Sequence, residues 1–299
     1  MKKVFSFENS YGDVLNGHVW ECENFKKIVI IVTGMQEHSN RYDHLATILN
    51  KNSYQVYCLN HYGQGNNVTN NDYGIVVKDF FDKMADTIFE LYCDLYNKYE
   101  KEIYIISHSM GSFISQNMIQ RHKSSTKKLI LIGTSGKMRL ASIGYMLAKL
   151  IVNKRNFNKP AKLLKSLTIG KYSNSIKDKE YDADWISYNK ENVIKYINDE
   201  ACNYECSNGF YLYLIKGLAT IHKNKNIKKV DKNLDIYVLV GEDDPVSNNS
   251  KTCKHLIKQY KKLGHDKIDL KIYKNARHEI LNEDIKDQVT QDILKFLEK

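Results

Sequence analysis

No stretch of the chain reaches the roughly 18 consecutive apolar residues that a membrane-spanning helix requires. The basic residues Lys2 and Lys3 are not followed by the apolar segment of a secretory signal peptide, so we expect a cytoplasmic protein. The sequence also lacks a glycine-rich phosphate loop, an internal repeat and a low-complexity linker. These absences leave an ordinary globular enzyme or binding protein as the classes to consider.

Cysteine is scarce and scattered rather than arranged in a framework. The six cysteines are Cys22, Cys58, Cys93, Cys202, Cys206 and Cys253. Their irregular spacing is typical of reduced thiols in a cytoplasmic protein. Cys202 and Cys206 have no second pair of metal ligands nearby, so we expect no zinc site there. No other metal and no organic cofactor is implied by the sequence.

The chain carries a formal charge of +10 and has a pI near 9.0, which raises the question of a nucleic-acid partner. Lysines are mixed with asparagines along the whole chain, and only two residues are proline. This pattern indicates a compositional bias and not a nucleic-acid-binding arm. The densest basic stretch, residues 222–229, is predicted to be a solvated loop. The positive net charge is still compatible with weak peripheral contact with an anionic membrane surface.

Ser109 is the candidate nucleophile. It follows the apolar run 103–106 and precedes a helix-like segment, with the small residues Ser107 and Gly111 on either side. A strained strand-to-helix turn requires such small neighbours, because it lifts the serine hydroxyl out of the sheet. The alternative is an ordinary serine at a helix start that caps backbone N–H groups.

An acid and a histidine follow at the ends of two later strands. Residues 234–241 read as a buried strand that runs into Glu242, Asp243 and Asp244, and residues 267–273 read as a strand that runs into a loop with His278. A serine hydroxyl needs an imidazole to take its proton, and the imidazole needs a carboxylate to orient it. Asp244 is the preferred carboxylate, with Asp243 and Glu242 as competitors, and His278 is the candidate base.

Two backbone N–H groups should hold the oxyanion of a tetrahedral intermediate. Met110 follows the serine directly and supplies the first. Met35 supplies the second, because it follows the apolar strand 27–32 and the turn-forming Gly34. The methionine side chains themselves need only pack.

The periodicities predict an α/β fold with a mostly parallel sheet and an inserted helical cap. Strands are expected near residues 3–7, 14–21, 27–32, 55–59, 102–107 and 128–133, and helices near 40–51, 79–99 and 110–122. From 136 to 231 the strand pattern stops, and helices are expected at 140–152, 161–167, 191–198 and 209–222. The predicted organisation is therefore a catalytic core from residues 1–135 and 232–299 with a cap at 136–231. Aromatic cap residues that could line an acyl pocket are Tyr181, Trp185, Tyr188, Tyr204, Phe210, Tyr211 and Tyr213.

In combination these motifs resemble the monoacylglycerol lipase and lysophospholipase branch of the α/β-hydrolases, often grouped with the serine aminopeptidase-like hydrolases. The family pattern is H-G-x-G-E-H-S-x-R-Y, D-x-R-G-H-G, G-H-S-M-G, G-x-x-D and R-H-E. This chain has the corresponding segments 33–42, 60–65, 107–111, 241–244 and 277–279. The resemblance covers nearly the whole chain and implies an eight-stranded α/β-hydrolase sheet with the cap inserted before the strand that carries the acid.

The chain departs from that pattern close to the site, at Thr33, Gln36, Asn60, Tyr62 and Ser107. None of these removes a triad residue. Gln36 bears on the shape of the oxyanion loop, because glutamine adopts a positive φ at a higher cost than glycine.

The sequence therefore predicts a serine hydrolase that cleaves carboxylic esters through an acyl-enzyme formed on Ser109. The resemblance implies a monoacylglycerol, a lysophospholipid or another medium to long acyl ester as the small-molecule substrate. An amide or thioester hydrolase on the same triad is an alternative. A second alternative is a catalytically silent α/β-fold binding protein. The altered residues Thr33, Gln36 and Ser107 favour this alternative.

Overall fold

Short apolar runs of the sequence become the strands of a single eight-stranded sheet. The computed structural model describes residues 1–123, 126–138 and 140–299; Arg139 of the predicted cap lies outside the described residues. The strands are β1 Lys2–Glu8, β2 Val14–Trp20, β3 Lys27–Val32, β4 Tyr54–Leu59, β5 Ile103–His108, β6 Lys128–Ile132, β7 Asp235–Gly241 and β8 Ile268–Tyr273.

The sheet has the order β1-β2-β4-β3-β5-β6-β7-β8. The β1–β2 and β2–β4 pairs are antiparallel, and every pair from β4 to β8 is parallel. The predicted mostly parallel α/β-hydrolase sheet is therefore confirmed. The strand order reverses between β3 and β5: the strand that follows β3 in the chain, β4, lies on one side of it, and β5 lies on the other side. Ligands of open α/β sheets bind at the carboxyl ends of the strands beside such a switch point.

Helices cover both faces of the sheet. They are α1 Asp43–Lys51, α2 Phe80–Tyr99, α3 Met110–Arg121, α4 Ala141–Ile151, α5 Lys162–Leu167, α6 Ile169–Asn174, α7 Lys190–Asn198, α8 Asn208–Ile221, α9 Asn224–Ile227, α10 Lys251–Lys262 and α11 Lys286–Glu298. None of the helices in the described ranges is both long and apolar enough to cross a membrane.

Strand β3 shows why the central strands are apolar on both sides. Ile28 and Ile30 belong to a core cluster with residues of α2, α3 and α8, whereas Val29 and Ile31 belong to a second cluster with residues of α1 and α11. All four side chains are fully buried. A strand between two helical layers needs apolar residues at successive positions, because alternate side chains enter opposite layers.

The segment between β6 and β7 is helical, from α4 to α9, and it packs onto the core. Phe210 of α8 stacks on Phe80 of α2 with ring centroids 4.9 Å apart. The assignment of residues 136–231 as a separate cap remains an interpretation of this arrangement. Within it, the predicted loop 222–229 instead contains the short helix α9.

Helix α10 was not predicted from the sequence. It is rich in lysine, and its buried side chains are only Cys253, Leu256 and Tyr260. These occupy positions i, i+3 and i+7, which is the spacing of one helix face. His222 and His265, which lie among lysines in the sequence, are also buried rather than solvated.

Candidate active site

Ser109 lies in the turn between β5 and α3. Its backbone has φ 50° and ψ −121°, a conformation that costs a non-glycine residue on the order of 1–3 kcal/mol. A Cβ at Gly111 would lie 2.3 Å from the carbonyl oxygens of Val32 and Thr33, so only glycine fits there. Ser107 is accommodated, because its hydroxyl donates a hydrogen bond to the Ile130 carbonyl at 3.0 Å.

Ser109, His278 and Asp244 form one hydrogen-bonded chain. The Ser109 hydroxyl oxygen lies 2.8 Å from Nε2 of His278, and Nδ1 of His278 lies 3.1 Å from a carboxylate oxygen of Asp244. Asp244 follows β7 and His278 follows β8, so both side chains come from the same edge of the sheet as Ser109. Asp244 and His278 are buried, whereas Ser109 is partly open to the solvent.

The two competing acids lie elsewhere. Glu242 is exposed, and Asp243 accepts a hydrogen bond at 3.1 Å from the hydroxyl of Tyr188. Asp244 instead accepts the Val246 N–H at 2.9 Å as well as contacting His278. Of the three carboxylates, the geometry brings Asp244 to the histidine.

The loop after β3 runs beside the serine. A Cβ at Gly34 would lie 3.1 Å from Cβ of Ser109, which places the loop in close contact with the elbow. The backbone N–H groups of Met35 and Met110 have no hydrogen-bond acceptor among the described residues. Two free N–H donors beside a serine hydroxyl are the arrangement that an oxyanion hole requires.

Gln36 has a φ of 57°, a positive value that costs glutamine more than it costs the glycine of the family pattern. Two contacts of this residue offset a cost of roughly 1–2 kcal/mol. Its backbone N–H donates to the side-chain oxygen of Gln64 at 3.0 Å, and its side-chain amide donates to the carbonyl of Tyr204. The loop therefore keeps a glycine-like conformation without glycine.

Other departures from the family pattern also have partners of their own. The side-chain oxygen of Asn60 accepts the Ser39 N–H at 2.8 Å. The hydroxyl of Tyr62 donates to Asp13 at 2.8 Å. These substitutions leave the positions of Ser109, His278 and Asp244 intact.

Buried charged side chains around Glu37 support the loop that follows β3. These residues belong to the sequence motifs, but the sequence did not predict that they contact one another. A carboxylate oxygen of Glu37 accepts hydrogen bonds from the Gly34 N–H and from the hydroxyl of Tyr42. Nδ1 of His108 lies 2.9 Å from the same oxygen, and the Arg41 guanidinium lies 3.7 Å from the other. Burial alone would raise the pKa of Glu37, but His108 and Arg41 outweigh it and lower the pKa to about 2.

Arg41 continues this network into the cap. Its guanidinium is 2.5 Å from Glu279 and 3.2 Å from the side-chain oxygen of Asn192 on α7, and it lies over the Tyr196 ring. Burial would lower the pKa of Arg41, but Glu279 and Glu37 raise it well above its ordinary value. Arg41 therefore stays charged and ties the loop region to α7.

One group of side chains has the composition of a metal site. Potential ligand atoms of His38, Asp199 and Cys202 lie within 4.8 Å of one another. The Arg41 guanidinium, however, is 3.7 Å from the Cys202 sulfur, and its positive charge opposes a cation at this position. Nε2 of His38 instead lies 2.8 Å from a carboxylate oxygen of Asp199, a hydrogen bond that joins the loop to the cap.

A cavity of about 650 Å³ is lined by Ser109, His278, Met35 and Met110 together with cap residues. Its walls are mainly aliphatic, with Ile143, Leu147, Leu163, Leu167, Leu214, Ile215 and Leu218. A volume of this size fits a small lipid-like ligand. Of the seven aromatic residues suggested by the sequence, only Trp185 lines it; Phe210 and Tyr211 are fully buried in the core instead. Tyr172 and Tyr196 line it without having been predicted.

The aliphatic lining continues onto the outer surface. We call this surface the apolar rim, and it consists of Leu140, Ile143, Met146, Leu147, Leu150, Leu163 and Leu167, all of them exposed. Several of the same residues also line the cavity. The cavity therefore opens through an apolar surface.

Comparison with known proteins agrees with this geometry. A family model described as serine aminopeptidase, S33, matches residues 23–285. The chain is 25% identical over 295 residues to a monoglyceride lipase of Mus musculus, covering 96% of this chain and 86% of the relative. A thermostable carboxyl esterase from Bacillus coagulans has a TM-score of 0.91 and 25% identity, covering 99% of this chain and 98% of that one. A soluble variant of monoglyceride lipase from Saccharomyces cerevisiae shares the fold, with a TM-score of 0.75, 18% identity and coverage of 100% and 94%.

Proposed function

The chain belongs to the serine aminopeptidase S33 family, in the monoacylglycerol lipase-like branch of the α/β-hydrolases, and we propose that it hydrolyses carboxylic esters of medium to long acyl chains with Ser109, His278 and Asp244 as its catalytic triad. The hydrogen-bonded chain from Ser109 through His278 to Asp244 carries this proposal. The likeness to monoglyceride lipases and carboxyl esterases supports an ester as the bond that is cleaved.

In the proposed acylation step, the Ser109 oxygen attacks the acyl carbon while Nε2 of His278 takes the hydroxyl proton. Asp244 accepts the Nδ1–H and stabilises the imidazolium that forms. The oxygen that becomes negative is held by the N–H groups of Met35 and Met110, each worth about 10²- to 10³-fold in turnover for this kind of donor. Collapse of the intermediate releases the alcohol, which takes its proton from His278.

Deacylation repeats the sequence with water. His278 takes a proton from the water molecule as its oxygen attacks the acyl carbon, and then returns a proton to the Ser109 oxygen as the carboxylic acid leaves. The same oxyanion donors act in both steps.

The cavity and the apolar rim support a substrate with a long acyl chain. Aliphatic walls bind an alkyl chain through the removal of apolar surface from water, at roughly 0.8 kcal/mol per methylene. The rim lies in the segment 137–177, which has recurring lysine and no aspartate or glutamate. An apolar surface among positive charges matches the interface of an anionic lipid layer, and we propose that the protein meets its substrate there.

A fluorophosphonate probe tests the triad, because it labels only a serine that is activated as a nucleophile. We expect the probe to label the wild-type protein and not Ser109→Ala, and we expect Ser109→Ala to abolish hydrolysis of a p-nitrophenyl ester. Ser115→Ala is the matched control, since Ser115 is buried on α3, the helix that follows Ser109, and has no part in the proposed mechanism. Absence of labelling in the wild type would favour a silent binding protein. More than about a tenth of the activity in Ser109→Ala would mean another nucleophile.

The bond preference needs a separate comparison. One acyl group presented as an ester, a thioester and an anilide should give the highest kcat/KM for the ester. A clear preference for either of the other two bonds would replace the ester assignment while leaving the triad in place.

A further inference from the structure

Gln36 connects the oxyanion loop to the cap. It follows Met35 directly, it is almost completely buried, and its side-chain amide donates a hydrogen bond to the backbone carbonyl of Tyr204. Tyr204 lies in the cap between α7 and α8, and its ring stacks on Tyr73 with centroids 5.0 Å apart. The acceptor is therefore a fixed backbone group and not a mobile side chain.

On its other side Gln36 is held to the core. Its N–H donates to the side-chain oxygen of Gln64 at 3.0 Å. The side-chain amide of Gln64 in turn donates to the carbonyls of Gly34 at 3.0 Å and Glu37 at 3.1 Å. Gln64 thus contacts the loop before, at and after Gln36, and the loop follows one path past Ser109.

The Met35 N–H belongs to the peptide group between Gly34 and Met35, and the carbonyl of that peptide group accepts the Gln64 amide at 3.0 Å. Its direction depends on how the backbone from Gly34 to Glu37 is held, and Gln36 is at a positive φ that its two hydrogen bonds maintain. An oxyanion donor is effective only when it points at the position of the developing charge.

We infer that Gln36 is a positioning residue that couples the oxyanion hole to the cap. Its bond to the Tyr204 carbonyl holds the Gln36 backbone against Gln64, and Gln64 orients the peptide group that carries the Met35 N–H, so that the hole is complete when the cap segment 199–204 is seated on the loop. The inference deepens the proposed function and rests on it. It assigns a role to a side chain where the family pattern has glycine.

The test separates the side-chain amide from the backbone conformation. Gln36→Met keeps the length of the side chain and removes the donor. Gln36→Gly removes the side chain and relaxes the backbone at positive φ, so it should fold at least as well as the wild type. The matched control is Gln120→Met, because buried Gln120 donates its amide to another cap carbonyl, that of Ile221 at 2.8 Å, away from Ser109.

Three quantities are measured for each variant: kcat and KM for a medium-chain p-nitrophenyl ester, and the affinity of an alkyl boronic acid. The boronic acid adds to the serine oxygen and forms a tetrahedral adduct that occupies the oxyanion hole. We expect both Gln36 variants to lose about tenfold in kcat and in boronate affinity together, with KM within twofold of the wild type. Gln120→Met should lower the melting temperature alone.

Kinetics of the wild type and of Ser109→Ala report on the proposed function, and only the Gln36 variants report on the coupling. Wild-type kcat and boronate affinity in Gln36→Gly would overturn the inference, because the backbone alone would then suffice. Retention of both quantities in Gln36→Met would overturn it too, as would a loss confined to KM.

Discussion

Nδ1 of His108 lies 2.9 Å from a carboxylate oxygen of Glu37, and both side chains are buried beside the elbow that carries Ser109. Burial would lower the pKa of His108, but Glu37 raises it above its ordinary value. Burial would likewise raise the pKa of Glu37, but His108 and Arg41 lower it to about 2. The two residues therefore form a buried ion pair. Its carboxylate supports the oxyanion loop, and its imidazole lies beside His278, with ring centroids 4.9 Å apart.

This pair predicts a pH-dependent stability. We expect His108→Gln to lower the free energy of unfolding by about 3 kcal/mol near pH 5.5, because a buried carboxylate then loses a charged partner. At that pH both contributions are complete: it lies above 4.5, where an unperturbed glutamate titrates, and below 6.5, where an unperturbed histidine titrates. Urea unfolding of both proteins from about pH 3 to pH 9 measures the difference.

The difference between wild type and His108→Gln should shrink on both sides of that window. The contribution of Glu37 is lost as the pH falls toward about 2, and the contribution of His108 is lost as the pH rises through its raised pKa. A difference that is constant across the pH range would show that the pair is not ionised in the folded protein.

Because Asp244 contacts His278 and Asp243 does not, we expect substitutions of these two neighbouring residues to differ in their effect on turnover. We expect Asp244→Asn to lower kcat by roughly 10⁴, because the amide favours the wrong tautomer of His278. Asp243→Asn should have a mild effect, since Asp243 contacts the surface hydroxyl of Tyr188. Steady-state kinetics on one p-nitrophenyl ester compares them. A large loss in Asp243→Asn with a mild effect in Asp244→Asn would move the proposed acid by one residue.

Local signals in the sequence were sufficient for the sheet and for the proximity of Ser109, Asp244 and His278. Ser109 and Asp244 follow the apolar, mostly buried strands β5 and β7, and His278 follows the edge strand β8, in which apolar and polar residues alternate. Parallel strands bring their carboxyl ends to one edge of a sheet. The order of a serine, an acid and a histidine at strand ends then limits the topology. The catalytic role of the three residues remains a prediction.

The residues of the cap that line the cavity were harder to predict from the sequence, because their contacts depend on tertiary packing. Aromatic residues at helical spacing, such as Phe210 and Tyr211, can face either the core or a cavity, and the two environments leave the same periodicity. The cavity is lined instead by aliphatic residues of α4 and α5, among them Ile143 and Leu163, whose sequence pattern is that of ordinary amphipathic helices. The sequence raised the cost of a positive φ at Gln36, but it could not predict the two hydrogen bonds that maintain this φ, since their partners Gln64 and Tyr204 are distant in the sequence.

The apolar rim predicts binding to anionic lipid. We expect the wild-type protein to sediment with vesicles of phosphatidylcholine and phosphatidylglycerol and to bind vesicles of phosphatidylcholine alone much more weakly, because Lys137, Lys149 and Lys162 are exposed in the same segment. Leu150→Ser should reduce binding severalfold, since this side chain is 83% exposed. Val4→Ser is the control, because Val4 is 61% exposed on β1, outside the rim.

Equal binding by Leu150→Ser and Val4→Ser would show that the rim does not contact the vesicle. Equal binding to both kinds of vesicle would remove the electrostatic part of the proposal. High salt should weaken the binding to anionic vesicles, because the exposed charges are screened over a distance of about 10 Å at 0.1 M.

The cavity makes a prediction about acyl length. If the aliphatic walls bind the acyl chain in the transition state, each methylene that no longer fits into the cavity lowers kcat/KM by about 0.8 kcal/mol, or roughly fourfold. Acetyl esters should therefore be poor substrates beside medium-chain esters. The measurement is kcat/KM for p-nitrophenyl esters from acetyl to dodecanoyl, below the concentration at which each forms micelles. Leu214→Ala, which removes part of one wall inside the cavity, should flatten the series, whereas Leu91→Ala, in the core outside the cavity, should leave its slope unchanged. A flat or falling series for the wild type would remove the long-chain assignment and leave the triad untouched, because the chemistry at Ser109 does not depend on how far the acyl chain extends.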